Sequence, residues 1–311
     1  MHFVIWHHKF NGEHRLRKWT ITSIDTDQYI HVLLAMARGR IEPEGLDNTE
    51  VTVRRRRGKG ACDFLYVNRV YSAIADHDSW RSGLADGDME PSWLTREAKV
   101  VLFVVVYALA GCDFLPSVYN LPFKKMLALT MESICQKGLF DEALVERDET
   151  GKWTLPLEHG MKLMAVCYVM MHRKVFSAAN TTAADVFRQC ERNTTTFIQT
   201  VRETIWRAHG ASGKKNCPAP DALGYQVQRC GAVLSYWQSA FDEEMELPEF
   251  RGEGWQTVSG AEENLTAENV AIQLSEYALL SKGGKLKFLT CGCNPDKDPK
   301  CDKCRCYKAG R

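Results

Sequence analysis

No stretch of this 311-residue chain is apolar for long enough to cross a bilayer. The longest such run, Val100 to Ala110, reads as a buried element. Met1 to Phe10 has no clean hydrophobic core and is not a secretory leader. Charge of one sign is also lacking: 40 Lys and Arg stand against 39 Asp and Glu, for a net charge of +1. A general electrostatic pull toward nucleic acid is therefore excluded, and any basic footprint must be local. No phosphate-binding P-loop, dinucleotide fingerprint or Gly-x-Ser-x-Gly elbow occurs, so nucleotide-cofactor and esterase chemistry drop away. These absences point to an intracellular protein, so the Asn-x-Thr triplets at Asn180, Asn193 and Asn264 carry no meaning as glycosylation acceptors.

Cysteine is plentiful, and its 12 residues divide in two. Seven, from Cys62 to Cys230, lie scattered, often in apolar segments, and read as buried reduced thiols. Five crowd the end of the chain as Cys291-x-Cys293 and Cys301-x-x-Cys304-x-Cys306. Short thiolate spacings of this kind suit a tetrahedral Zn²⁺ site, against the alternative of an oxidisable tail.

Two acidic motifs sit among apolar residues. Lys18 to Ile24 reads as a short strand ending at Asp25, and residues two apart on a strand share a face, which places Asp25 and Asp27 together. Asp113 follows Gly111 at the end of the Val100–Ala110 run, which reads as a helix capped by Thr95. Paired carboxylates repel unless a cation lies between them, and a helix C-terminus disfavours a further negative charge. A metal would relieve both strains. The other reading is structural, with Asp25 capping the next helix and Asp113 opening the turn before Pro116.

The remaining elements form an α/β pattern. Helices are expected over 28–38, from 68 to 75, and over 123–135, 158–172, 183–208 and 221–241, with a last one over 268–280. Short strands are expected over 50–53 and 64–67, and 76–92 reads as a surface insertion. Arg54-Arg55-Arg56-Arg57-Gly58-Lys59 is a compact basic run, either a phosphate contact or nuclear address, or else a solvated loop. His7, His8, Glu13 and His14 are a weak metal candidate. Trp206, Tyr236, Trp237 and Trp255 are aromatic enough to stack on bases, although helical spacing makes most of them core residues.

Ser23-Ile24-Asp25-Thr26-Asp27 resembles the internal acidic motif of flap-endonuclease and XPG-type nucleases, within the PIN-like superfamily. Ala108-Leu109-Ala110-Gly111-Cys112-Asp113-Phe114 is similar to their later leucine-glycine-x-aspartate motif. The resemblance spans about residues 18–137. It implies Asp25, Asp27 and Asp113 as catalytic ligands of Mg²⁺ (or Mn²⁺) in two-metal phosphodiester hydrolysis. The family's upstream aspartate strand and carboxylate-bearing helix find no room before Asp25, where Glu13 is the only acid, so the domain is expected to be N-terminally incomplete. Its glycine-rich hairpin is replaced by Tyr119-Asn120-Leu121-Pro122-Phe123-Lys124-Lys125, which leaves Lys124 and Lys125 for phosphate. The tail resembles the start of a tesmin-type CXC domain, with Lys303 and Arg305 as its DNA contacts. Asp221 to Gln226 and Gly254-Trp255 are similar to the middle region of mobile-element-related eukaryotic proteins.

Together these readings give a partial PIN-like three-layer domain over 1–138, a helical region over 139–281 and an incomplete zinc-binding tail over 282–311. Two functions stay open: a Mg²⁺-dependent structure-type endonuclease, and a non-catalytic nucleic-acid-binding protein that keeps the fold and the zinc tail. Either would act on DNA, in the nucleus or else the cytoplasm.

Overall fold

A computed structural model describes residues 18–23, 27–44, 50–56, 62–85, 87–118, 120–176, 182–209, 216–240 and 242, with Gly254 and short strand pieces at 256–257, 270–271, 278–280 and 286–288. The chain is a mixed α/β structure with a small sheet and several helices. β1 (Lys18–Ser23), β2 (Glu50–Arg56) and β3 (Cys62–Tyr66) form a sheet in the order β1-β2-β3. β1 and β2 are parallel, with Thr22 beside Arg54 and Ser23 beside Arg55. β2 and β3 are antiparallel, with Arg54 opposite Phe64 and Thr52 opposite Tyr66.

Parallel neighbours need a crossover, and α1 (Asp27–Ala37) supplies it. The sheet alternates as half-buried antiparallel and mixed sheets do. Trp19 and Ile21 pack against the hydrophobic core, and Val51 and Val53 are buried in it. Thr20, Thr22 and Arg54 lie exposed on the other side. Asn68 locks the start of β2, accepting from Val51 N at 2.8 Å and donating to Pro43 O at 2.9 Å.

β2 runs three residues further than its apolar pattern suggests, so Arg54, Arg55 and Arg56 belong to a strand and not to a loop. The insertion over 76–92 is also more than surface. Its 3₁₀ turn (Asp78–Arg81) buries Trp80 completely, with Nε1 donating to Ile74 O at 2.7 Å.

α2 (Val67–Ala75) leads into this turn, and α3 (Arg96–Ala110) follows it. Thr95 caps α3 as expected, accepting from Ala98 N. α4 (Phe123–Ser133), a two-residue ribbon of β4 (Glu146–Arg147) and β5 (Trp153–Thr154), and α5 (Leu157–Met171) continue the chain. The single helix expected over 183–208 is two, α7 (Ala183–Gln189) and α8 (Thr194–His209), after the one-turn α6 (Arg173–Phe176). The break falls where Glu191 and Arg192 both take positive φ, a pairing no helix interior tolerates. α9 (Pro220–Ser239) closes the packing. Instead of a helix over 268–280, two small ribbons pair 256–257 with 270–271 and 278–280 with 286–288.

One core cluster runs from α1 through α3 to α5 and α9. α9 is stitched to the first half of the chain by polar groups. Gln238 accepts from Trp153 N and donates to Trp153 O, each at 2.8 Å, completing the strand's backbone pairing with a side-chain amide. Buried Arg38 donates to Gln238 O at 2.8 Å and to Asp242 at 3.2 Å.

Candidate functional site

Four helices, α1, α3, α4 and α9, meet around Tyr107. Asp27 is not on a strand; β1 stops at Ser23, and Asp27 is the first residue of α1. It is buried and accepts a 2.5 Å hydrogen bond from Tyr107 Oη on α3. The amino end of a helix favours a carboxylate, so the α1 dipole and the phenol both stabilise the charge. Asp25 lies outside the described residues.

Asp113 occupies the bend after α3 and is exposed, so water solvates its charge. The geometry of that bend depends on Gly111. Its φ is +118°, and a Cβ there would stand 2.5 Å from Ser117 Cα. Cys112 and Leu115 then exchange backbone hydrogen bonds at 3.1 and 3.2 Å, closing a tight loop. Gln226, fully buried on α9, holds this loop from behind. Its Nε2 donates to Leu109 O at 3.1 Å and to Pro116 O at 3.0 Å.

Both aspartates act on one neighbour. The Cys112 thiol is pushed up to about 11, first by burial and further by the charges of Asp27 and Asp113. Tyr107 packs on Phe123 at 5.7 Å and on Trp237 at 6.4 Å, and Phe114 lies against Tyr236 and Trp237. Trp237 is therefore a core residue, and Tyr236 is half-buried.

The metal expectation is corrected here. Among the described residues, no group of three or more His, Cys, Asp or Glu side chains comes together to hold a metal ion. Asp27 accepts from Tyr107, Asp113 is exposed, and among the described residues no third donor joins them. Among the described residues, Asp27 and Asp113 alone do not make a donor set for Mg²⁺ or Mn²⁺, which removes the ground for two-metal hydrolysis there. No Zn²⁺ site forms either among the described residues, whose cysteines 112, 135, 167, 190, 217 and 230 are separate free thiols. Cys291, Cys293, Cys301, Cys304 and Cys306, with Lys303 and Arg305, lie outside the described residues. So do His7, His8, Glu13, His14 and Trp255.

No family model, curated protein or solved structure matches this chain. The site must be read from its own residues.

The exposed basic candidates lie at two places. Arg54 is exposed on β2 beside the end of β1, with its guanidinium over the Phe64 ring at 5.9 Å. Arg55 and Arg56 continue the strand, while Arg57 lies outside the described residues. Lys124 and Lys125 are exposed in the first turn of α4, directly after Phe123. Pro122, at the helix N-cap, offers no side chain to the first-turn amides.

Sequence reasoning missed Tyr107, Gln226 and the two exposed rings of β3, Phe64 and Tyr66. A polar residue spaced among the apolar positions of α9 was the one signal for Gln226, and Arg229 and Gln238 are buried on the same helix. Nothing local announces Tyr107 as the partner of an aspartate 80 residues away.

Proposed function

We propose that this chain is a nucleic-acid-binding protein, with DNA as the first candidate, and that it grips phosphate with side chains and backbone amides. The observation that carries the reading is the arginine strand. β2 stays in sheet register through Arg54, Arg55 and Arg56 at the carboxyl end of a parallel pair, the end at which open α/β sheets take ligands. Lys124 and Lys125 add charge at the start of α4, whose uncapped amides and helix dipole favour an anion. A phosphate contact requires only this, and the near-zero net charge keeps such binding local.

A PIN-like relation remains part of the proposal as a scaffold, without its hydrolysis. It is supported by the order of the two motifs in the chain. A nuclear location would go with DNA as the ligand. Among the described residues, no helix is long and apolar enough to cross a membrane.

The test is fluorescence anisotropy of labelled duplex and single-stranded DNA at low salt in EDTA. The wild-type chain should bind. Combining Arg54→Gln, Lys124→Gln and Lys125→Gln should weaken binding by roughly tenfold or more while leaving the unfolding midpoint in place. Unchanged affinity in that variant would contradict the reading.

A further inference from the structure

The outer face of the three-stranded sheet carries two large rings that stay largely exposed. Phe64 is 55% exposed and Tyr66 is 44% exposed, on β3 at the edge of the sheet. Strand alternation puts them on the same side, roughly 7 Å apart along the chain. Each has an arginine over it: Arg54 stands 5.9 Å from the Phe64 centroid, and Arg69, from α2, stands 5.2 Å from that of Tyr66. The register aligns Thr52, Thr20 and Thr22 with these positions, giving small polar neighbours, of which Thr52 is buried and Thr20 and Thr22 are exposed. Glu50 is the one acid in register on this face, and Lys18 pairs with it at 3.3 Å. Asp63 is in register with Arg55, on the other face.

An exposed aromatic pair needs an explanation, because burying such rings is worth a few kcal/mol and the fold leaves that undone. The charge around the rings identifies the occupant. An apolar protein partner would have to desolvate two guanidinium groups. A polyanion with flat, unpaired bases gains from both features, since bases stack on rings and on guanidinium planes while arginine meets phosphate. Duplex DNA cannot use the rings, because its bases are already stacked on one another.

We propose that Phe64 and Tyr66 form a stacking platform for unpaired bases, so that the ligand is single-stranded nucleic acid running across the outer face of the β1–β2–β3 sheet. This rests on the phosphate-binding reading above and adds the strand class and the direction of approach. Arg54 belongs to both: it is the point where the platform joins the basic end of β2.

The test compares a deoxythymidine oligomer about 12 nucleotides long with a duplex of the same length, on the full chain. Phe64→Ala and Tyr66→Ala should each weaken the single strand by about tenfold, and together by about a hundredfold. Duplex affinity should stay within about twofold, because phosphate contacts remain. Phe64→Tyr and Tyr66→Phe should keep single-strand binding, as a ring is all that stacking needs. A 2-aminopurine base in the oligomer should be quenched on binding wild type and not on binding the double alanine variant. Both rings are exposed, so circular dichroism and the unfolding midpoint should not move.

Equal loss for duplex and single strand, or no loss for either, would overturn the platform while leaving phosphate binding intact. Absence of binding to any nucleic acid by wild type would overturn the phosphate reading and the platform with it. Concentration-dependent self-association abolished by the alanine variants would show that a second copy of the chain covers this face, and would also overturn the platform.

Discussion

Asp27 shows how a single residue changes meaning with its surroundings. On a strand beside Asp25 it would be a charge in need of a cation. At the head of α1, under the Tyr107 hydroxyl, it is stabilised by the helix dipole and the phenol. Tyr107→Phe should therefore destabilise the chain by about 1–3 kcal/mol, the cost of leaving a buried acceptor short of its donor. Urea unfolding measures this, and a loss below a few tenths of a kcal/mol would show that the bond contributes little.

Glu44 makes a second residue-scale prediction. Its carboxyl is held at about 2, first by the hydrogen bonds from Arg96 and then by that from Ser72. A depressed carboxylate contributes stability above its ordinary value of 4.5, and this is lost as pH falls through about 2. The pair is solvent-exposed, so the effect is screened and small. The stability advantage of wild type over Arg96→Gln should be present at pH 6 and shrink as pH falls from 4.5 toward 2. A constant difference across that window would deny the coupling.

At the scale of elements, Gly111 and Gln238 join pieces that are distant in sequence. Gly111→Ala puts a Cβ against the Ser117 backbone and holds alanine at positive φ. The strain alone is of order 1–3 kcal/mol, and the loop carrying Asp113 must shift to relieve the clash. A thermal midpoint like that of wild type would mean the loop moves freely. Gln238→Leu removes both partners of the Trp153 backbone and strands a buried N–H and C=O, at about 1–3 kcal/mol each. A loss well under 1 kcal/mol would argue that water or a neighbour replaces the amide.

These elements also show what the sequence made legible. Thr95, the apolar run after it and Gly111 announced α3 with its start and its end, because caps are local chemistry. The strand ending near Asp25 was visible from alternation, but the turn into α1 was not. One residue's shift from strand to helix moved Asp27 from a shared face to a helix N-terminus. The arginine run looked like a loop because charge masks strand propensity, while its pairing with β3 depends on residues a hairpin away. Glu191 and Arg192 broke a helix that periodicity had left whole. For Asp27 and the arginine strand the deciding contact is with a residue outside the local window.

For the whole molecule, the balance of charge decides what kind of binding is open to it. With +1 overall, attraction to a polyanion comes from where the cations sit and not from their number. Arg54 is exposed at the carboxyl end of the parallel pair, Lys124 and Lys125 are exposed at the start of α4, and the rings of β3 lie on the same sheet face as Arg54. The most direct measurement is the salt dependence of DNA binding, as the slope of log K against log [NaCl]. A phosphate-gripping site predicts a steep negative slope for wild type. Replacing Arg54, Lys124 and Lys125 by glutamine should make it shallower by about 2 to 3, close to one per lost phosphate contact. A slope that is flat in wild type, or identical in the variant, would contradict binding at this end of the sheet.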